Sequence, residues 1–423
     1  MLLSKQRQQL RTAYDEYPGQ FWLLLLGSFI DQLGGALVFP FLTLYITRKF
    51  AVAMTELGVI IGVYSLTNLV GGILGGALAD RLGRKQTLLF GLAASGLTSL
   101  LMGWVGSVPL LLASIVIVGL LANVGGPARQ AMIADLLPEE KRAQGFGLLR
   151  VEMNLAVAIG PTIGGLLATR SFVSLFIADA VTSLITAVFV AFLLHETRPG
   201  SRSGVEHDTV FQTLRGYGDV VRDSRFVAFV LICILVAIAA IQMNTTLSVY
   251  LRDVHGVSAQ GFGFILSLNA TMVVLFQFYI TRRMRAYRPW IVMAAGSALY
   301  GFGYALYGLV SAYVLFLAAM VVVTAGEMVF VPTAQALAAR MAPEDMRGRY
   351  MAAFGLSWAI PGMIGPLLAG LIMDNADPRW VWYAAGVTGL AAAAGFTLLQ
   401  RWMGDSPREK EAGTVSAASD ASD

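Results

Sequence analysis

The sequence predicts an all-α integral membrane fold of twelve transmembrane helices, paired as two pseudo-symmetric six-helix bundles, and three observations carry that prediction. Hydrophobic residues make up 57% of the 423 and charged residues only 13%, about half the share usual in soluble domains. Apolar runs of about 20 residues, the length that crosses roughly 30 Å of hydrocarbon, recur along the whole chain between short polar breaks. The second half of the chain also repeats the first.

The expected spans are 21–46, 56–79, 86–106, 108–128, 145–169, 172–195, 226–250, 260–280, 289–310, 313–338, 351–373 and 379–401. Each is rich in Leu, Val, Ile, Ala and Phe, and each stops where charge, Gly and Pro gather. "DRLGRK" separates spans 2 and 3, "LPEEKR" follows span 4, "TRRMRAYRP" separates spans 8 and 9, and "APEDMRGR" precedes span 11. Residues 1–20 lack the short apolar core and cleavage site of a signal peptide, so they read as a retained cytoplasmic segment. Residues 196–225 form a polar cytoplasmic linker between bundles 21–195 and 226–401, and 402–423 read as a disordered cytoplasmic tail.

The formal charge of +4 matters less than its distribution. With the N-terminus inside, only Arg48, Lys49, Arg170, Arg252 and Arg379 fall outside, and Arg150 falls within a span. All other cations, Arg129 among them, count as cytoplasmic, which places both termini inside a plasma membrane. The basic character therefore requires no nucleic-acid partner. Cys233 is the single cysteine, so neither an intrachain disulfide nor a cysteine metal site is expected. His195, His207 and His255 lie in loops or at span ends, and no cofactor or metal is implied.

Self-similarity appears at a shift of 205 residues. "GPARQAMIADLLPEEKR" (126–142) then lies over "VPTAQALAARMAPEDMR" (331–347), matching Gln130 with Gln335, Pro138 with Pro343 and Arg142 with Arg347. The register runs on without a gap to "IGPTIGGLL" (159–167) over "IGPLLAGLI" (364–372). Six spans is an even number, so the halves share one orientation and are related by an axis along the membrane normal. Two such bundles leave a natural place for a small molecule near the bilayer midplane, opened alternately to each side.

Three stretches carry a family resemblance. "GALADRLGRKQTL" (76–88) resembles the loop 2–3 signature of the major facilitator superfamily, with Gly76, Asp80, Arg81, Gly83, Arg84 and Lys85 in place. "GLLRVEMNLAVAIGPTIGG" (147–165) is similar to the span 5 exporter motif, with Gly147, Gly160, Pro161, Gly164 and Gly165, and with Ala156 where one family glycine stands. "DQLGGALVFP" (31–40) resembles the twelve-span drug/proton antiporter pattern through Asp31, Gly34, Val38 and Pro40. The resemblance implies that the loop 2–3 aspartate is a cytoplasmic latch meeting the start of span 11. One departure stands out: relatives commonly carry a span 4 arginine four residues before a glycine, and here Ile115 precedes Gly119.

Ionisable residues inside spans are costly, about 2.5–3.5 kcal/mol on insertion scales, and so are functional candidates. Asp31, Glu327 and Glu152 are the candidates for proton coupling. Arg150 and Asn154 share a helix face with Pro161 and, with Asn123, Gln242, Asn244 and Asn269, are candidates for a substrate cavity; Asn68 and Gln277 are further polar span residues. Glu152, two residues from Arg150, points elsewhere. Asp179 reads as a structural residue nearer the outer face.

The expected function is a secondary active transporter, a proton-coupled exporter of amphipathic small molecules or drugs working as a monomer. The alternative is an importer or facilitator of a small metabolite such as a sugar or organic ion. No His-Glu-x-x-His or Gly-x-Ser-x-Gly motif supports a membrane enzyme.

Overall fold

A computed structural model describes residues 16–197, 218, 220–284, 286–343 and 346–403. The expected N-terminal segment, linker and tail fall largely outside these. The described residues contain twelve helices long and apolar enough to cross a membrane. They are Gly19–Phe50, Met54–Leu82, Arg84–Trp104, Val108–Leu136, Glu139–Arg170 and Phe172–Leu193 in the first half. Ser224–Thr245, Ala259–Met284, Pro289–Leu309, Tyr313–Met341, Arg347–Asn375 and Trp380–Trp402 follow in the second. Numbered in chain order as spans 1 to 12, several outrun the expected bounds. Span 4 reaches Leu136 and span 5 begins at Glu139, because a helix can continue past the hydrocarbon as long as its backbone stays hydrogen-bonded.

The repeat is visible in the helix boundaries. Gly19 and Ser224, Met54 and Ala259, Arg84 and Pro289, and Val108 and Tyr313 are pairs of helix starts, and Arg170 and Asn375 a pair of helix ends. Each pair is separated by the same 205 residues that join the hydrogen-bonded Thr43 and Ser248. Outward-facing apolar side chains such as Ile73, Leu97, Phe192 and Phe278 remain 68% to 82% exposed, as expected of surfaces whose solvent is lipid. Trp104, Trp380 and Trp402 stand exposed at span ends, where amphipathic indoles favour the membrane boundary.

Contacts divide the chain into two compact units. The first comprises Met1–Val205, Gln242–Leu275 and Gly362–Pro378. Within it, glycines let backbones meet: a Cβ on Gly160 would stand 2.5 Å from the Ala36 Cβ, and one on Gly164 2.7 Å from the Leu37 carbonyl oxygen. Span 5 therefore lies directly on span 1. Gly58 would similarly meet the Leu367 Cα at 2.4 Å and Gly263 the Pro161 carbonyl oxygen at 2.2 Å. These two close approaches are near mates under the 205-residue shift, joining span 2 to the end of span 11 and span 8 to span 5.

The second unit comprises Glu206–Ile241, Phe276–Pro361 and Arg379–Asp423. Its core is aromatic. Tyr300 stacks on Tyr304 at 5.6 Å, and Tyr304 on Trp382 at 6.3 Å. Spans 9 and 12 cross where Gly301 faces Gly389, a Cβ on Gly389 falling 2.4 Å from the Gly301 Cα.

Candidate transport site

The first unit encloses a cavity of about 490 Å³, within the range of small-molecule sites. Spans 1 to 6 supply its wall together with Asn244 from the end of span 7. Phe39, Met102, Val118 and Phe176 give it apolar area, while Gln32, Tyr64, Asn68 and Asn123 give it polar points. Two carboxylates, Asp31 and Asp179, lie on the same wall.

Asp31 accepts a hydrogen bond from Ser183 Oγ at 3.2 Å, and its other oxygen faces Arg129 Nη1 at 3.6 Å. Arg129 is not a loop cation: it lies on span 4 beyond a break at Asn123 and Val124, with its side chain 19% exposed. Span 4 thus carries an arginine, ten residues beyond Gly119 and not four before it. The continuation of the helix through "GGPAR" was the signal available, since small residues and a proline at a helix start do not end a span.

Glu152 is 7% exposed, and among the described residues neither carboxylate oxygen has a hydrogen-bond partner. It interacts electrostatically with Arg129 and Asp31, and Arg129 Nε likewise lacks a hydrogen-bond acceptor. Asp179 interacts electrostatically with Asp31. It lines the cavity. Two acids, Asp31 and Glu152, therefore share one guanidinium, and Asp179 is coupled to Asp31.

Span 5 faces the cavity through Met153, Val157 and Pro161 at four-residue spacing. Arg150 is exposed and Asn154 half-buried, and neither is among the described residues that line the cavity. The expected face of span 5 was thus turned by one residue, and it is Glu152 that is buried. Gln242 is buried, donating to the Gly365 carbonyl at 3.0 Å and accepting from Thr246 at 2.6 Å. Asn269 is buried elsewhere in the unit, outside the cavity lining. Of the exporter-motif residues, Gly160, Gly164 and Gly165 sit at close backbone contacts, while Gly147 faces open space.

In the second unit, Glu327 is half-buried on span 10 and interacts with Tyr300 and Tyr304 of the aromatic core. Gln277 donates to Thr281 and to the Met328 carbonyl.

The loop between spans 2 and 3 is held from an unforeseen direction. Gly83 has φ +107°, and a Cβ there would meet Glu196 at 2.5 Å. Glu196, just past span 6, accepts from the backbone N–H of Arg84 at 2.9 Å and of Lys85 at 3.1 Å. A carboxylate on the first amides of span 3 satisfies donors that no helical carbonyl reaches. Arg84 pairs with Asp80 and with Asp135, the latter at 3.4 Å, and Lys85 Nζ reaches the Ala191 carbonyl at 2.8 Å. Arg81 is exposed and Gly76 approaches Pro127 at ordinary contact distance.

At the far end of the first unit, Asp374 plays a similar part. Its two oxygens accept from the backbone N–H groups of Met54 at 3.0 Å and Thr55 at 2.7 Å, at the start of span 2. Beside it, a Cβ on Gly370 would fall 2.2 Å from the Met54 carbonyl oxygen.

Comparison with known proteins gives this arrangement its class. The sequence profile of the Major Facilitator Superfamily matches residues 24–366 and, overlapping, 263–420. The chain belongs to the Major Facilitator Superfamily. It is a secondary transporter and not an enzyme. Among superfamily members it is 29% identical over 412 residues to a protein of Planococcus maritimus named Na(+), Li(+), K(+)/H(+) antiporter, covering 90% of this chain and 94% of that one. It is 25% identical over 374 residues to the multidrug resistance protein MdtH of Escherichia coli, covering 87% and 91%. The solved structure of the nucleoside transporter NupG superposes with a TM-score of 0.78 at 15% identity, covering 90% of this chain and all of that one. That likeness concerns the fold.

Proposed function

We propose that this superfamily member is a proton-coupled antiporter that exports amphipathic small molecules across the cytoplasmic membrane. The observation that carries the reading is that Asp31 and Glu152 share the guanidinium of Arg129, with Asp179 coupled in turn to Asp31. Coupled carboxylates disfavour one another's charge, so a proton on Asp31 or Glu152 changes which of the two pairs with Arg129, and Asp179 acts on that balance through Asp31. That exchange supplies the electrostatic difference between two states on which a ligand-driven conformational change depends. The mixed cavity wall suits a cargo with apolar area and one charged or polar group.

The latch reading of Gly76, Asp80, Arg81, Gly83, Arg84 and Lys85 belongs to the same proposal, with Arg84 and Lys85 tied to spans 4 and 6. The expected roles of Glu327 as a second proton site and of Asn123 and Asn244 as cavity contacts also remain part of it.

A second reading has its own support. Asp31 and Asp179 present oxygens to the cavity together with Asn68, Asn123 and Tyr64, an oxygen set suited to a small hard cation. The Planococcus maritimus relative carries the name of a monovalent-cation antiporter.

The two readings separate in everted vesicles with an acid lumen reported by a quenched dye. Under the leading reading a lipophilic cationic drug collapses the proton gradient and NaCl or KCl at matched ionic strength does not. The reverse result establishes the cation reading, and transport with no gradient response at all establishes a facilitator.

A further inference from the structure

The second unit contains a cavity of about 390 Å³ at the junction of spans 8, 9 and 10. Met284, Val292, Met328, Val329 and Leu337 form its apolar wall, and Thr281, Tyr287, Thr333 and Arg340 its polar rim. The proposed efflux mechanism makes no use of it.

The repeat shows what is unusual about this place. Its counterpart in the first unit, 205 residues earlier, is the junction of spans 2, 3 and 4. There Arg84 is balanced by Asp80 and Asp135, and Ala79, Leu88, Ala128 and Met132 close the space as one buried cluster. In the second half the sequence register puts Arg285 at the position of Asp80 and Arg340 at that of Asp135. Both acids have become arginines, and the arginine they balanced has become Pro289. The loop "TRRMRAYRP" contains no acid, and among the described residues Arg340 makes no ion pair. Filled space and balanced charge in one half face an open cavity with excess positive charge in the other.

We propose that this cavity binds the headgroup of an anionic phospholipid from the cytoplasmic leaflet. A phosphodiester would meet Arg340, with the hydroxyls of Thr281 and Tyr287 within the same rim, and its acyl chains would follow the apolar wall and the exposed flank of span 8. On that flank Phe278 and Tyr279 are 79% and 69% exposed. Basic pockets between helices on the cytoplasmic side favour such headgroups, and the junction lies on the side to which the charge distribution assigns the cytoplasm. The lipid thus supplies in the second half the counter-charge that aspartates supply in the first.

The test uses the purified full-length chain in a neutral detergent, with bound lipid counted by native mass spectrometry after adding phosphatidylglycerol or phosphatidylcholine. Phosphatidylglycerol is expected to remain bound preferentially, and Arg340→Asp, which restores the charge found at Asp135, to weaken retention about fivefold. Arg340→Lys should retain most of it, whereas Arg170→Ala, on the side to which the charge distribution assigns the exterior, should change nothing. Equal retention of the two lipids, or unchanged retention in Arg340→Asp with its thermal unfolding intact, overturns the proposal. If Arg340→Asp unfolds, a bulky Thr333→Trp within the cavity serves instead, and undiminished phosphatidylglycerol retention in that variant is contrary. Stabilisation by inorganic phosphate equal to that by phosphatidylglycerol would make the site one for a free anion and also overturn it.

Discussion

Asp31 Oδ2 and Arg129 Nη1 face each other at 3.6 Å, each side chain about one-fifth exposed, so spans 1 and 4 are joined by opposite charges in a largely apolar setting. Removing one partner of such a pair leaves the other uncompensated, at a cost of about 3–5 kcal/mol when burial is complete and less here. Arg129→Met is therefore expected to lower the thermal midpoint, and the double variant Asp31→Asn/Arg129→Met to recover part of the loss. A double variant as unstable as the sum of the singles would show that the two residues do not interact.

Glu152→Gln preserves shape while removing a buried charge. Folding should be unaffected or improved, since both carboxylate oxygens lack hydrogen-bond partners. Drug-driven proton release from everted vesicles should fall at least tenfold. Wild-type release from a well-folded variant would remove Glu152 from the coupling group.

Asp374 caps the start of span 2 through the amides of Met54 and Thr55. Its replacement by alanine should cost about 0.5–2 kcal/mol, the usual range for a lost helix cap. The seam beyond it holds Ser65, which donates to the Gly362 carbonyl at 3.0 Å. A cysteine introduced at Ser65 should therefore react faster with a membrane-impermeant thiol reagent when Asp374 is replaced. Buried Cys233 makes the background small. An unchanged labelling rate would show that the cap does not hold this seam.

Gly83→Ala combines a left-handed backbone with a collision at Glu196. Positive φ with extended ψ is open almost only to glycine, and the conformational penalty alone is about 1–3 kcal/mol, so the thermal midpoint should drop. Glu196→Gln, which keeps a hydrogen-bond acceptor but loses the charge at the helix terminus, should drop it less. Equal stability of Gly83→Ala and wild type would contradict the arrangement of this loop.

Much of the fold is legible in the sequence because a bilayer allows little else: an apolar run of about 20 residues must satisfy its backbone internally, and a constant 205-residue offset assigns the two halves. The site is less legible. The polar "GGPAR" resembles an ending and so puts Arg129 beyond span 4, whereas the helix restarts at Gly125 and carries the arginine toward Asp31. Glu152 and Arg150 stand two residues apart, so a small error in helix phase exchanges which one is buried. Glu196 and Asp374 were missed for another reason: each caps a helix far from it in the chain, and local sequence does not reveal such partners.

The most direct test of the proposed coupling is proton movement in proteoliposomes containing the purified protein and an internal pH dye, with a drug added outside against an acid lumen. Wild type should release lumenal protons as the drug enters, and a variant with Asp31→Asn, Glu152→Gln and Asp179→Asn, confirmed to bind the drug, should release none. Proton release by the triple variant at the wild-type rate would contradict the assignment of coupling to these three acids.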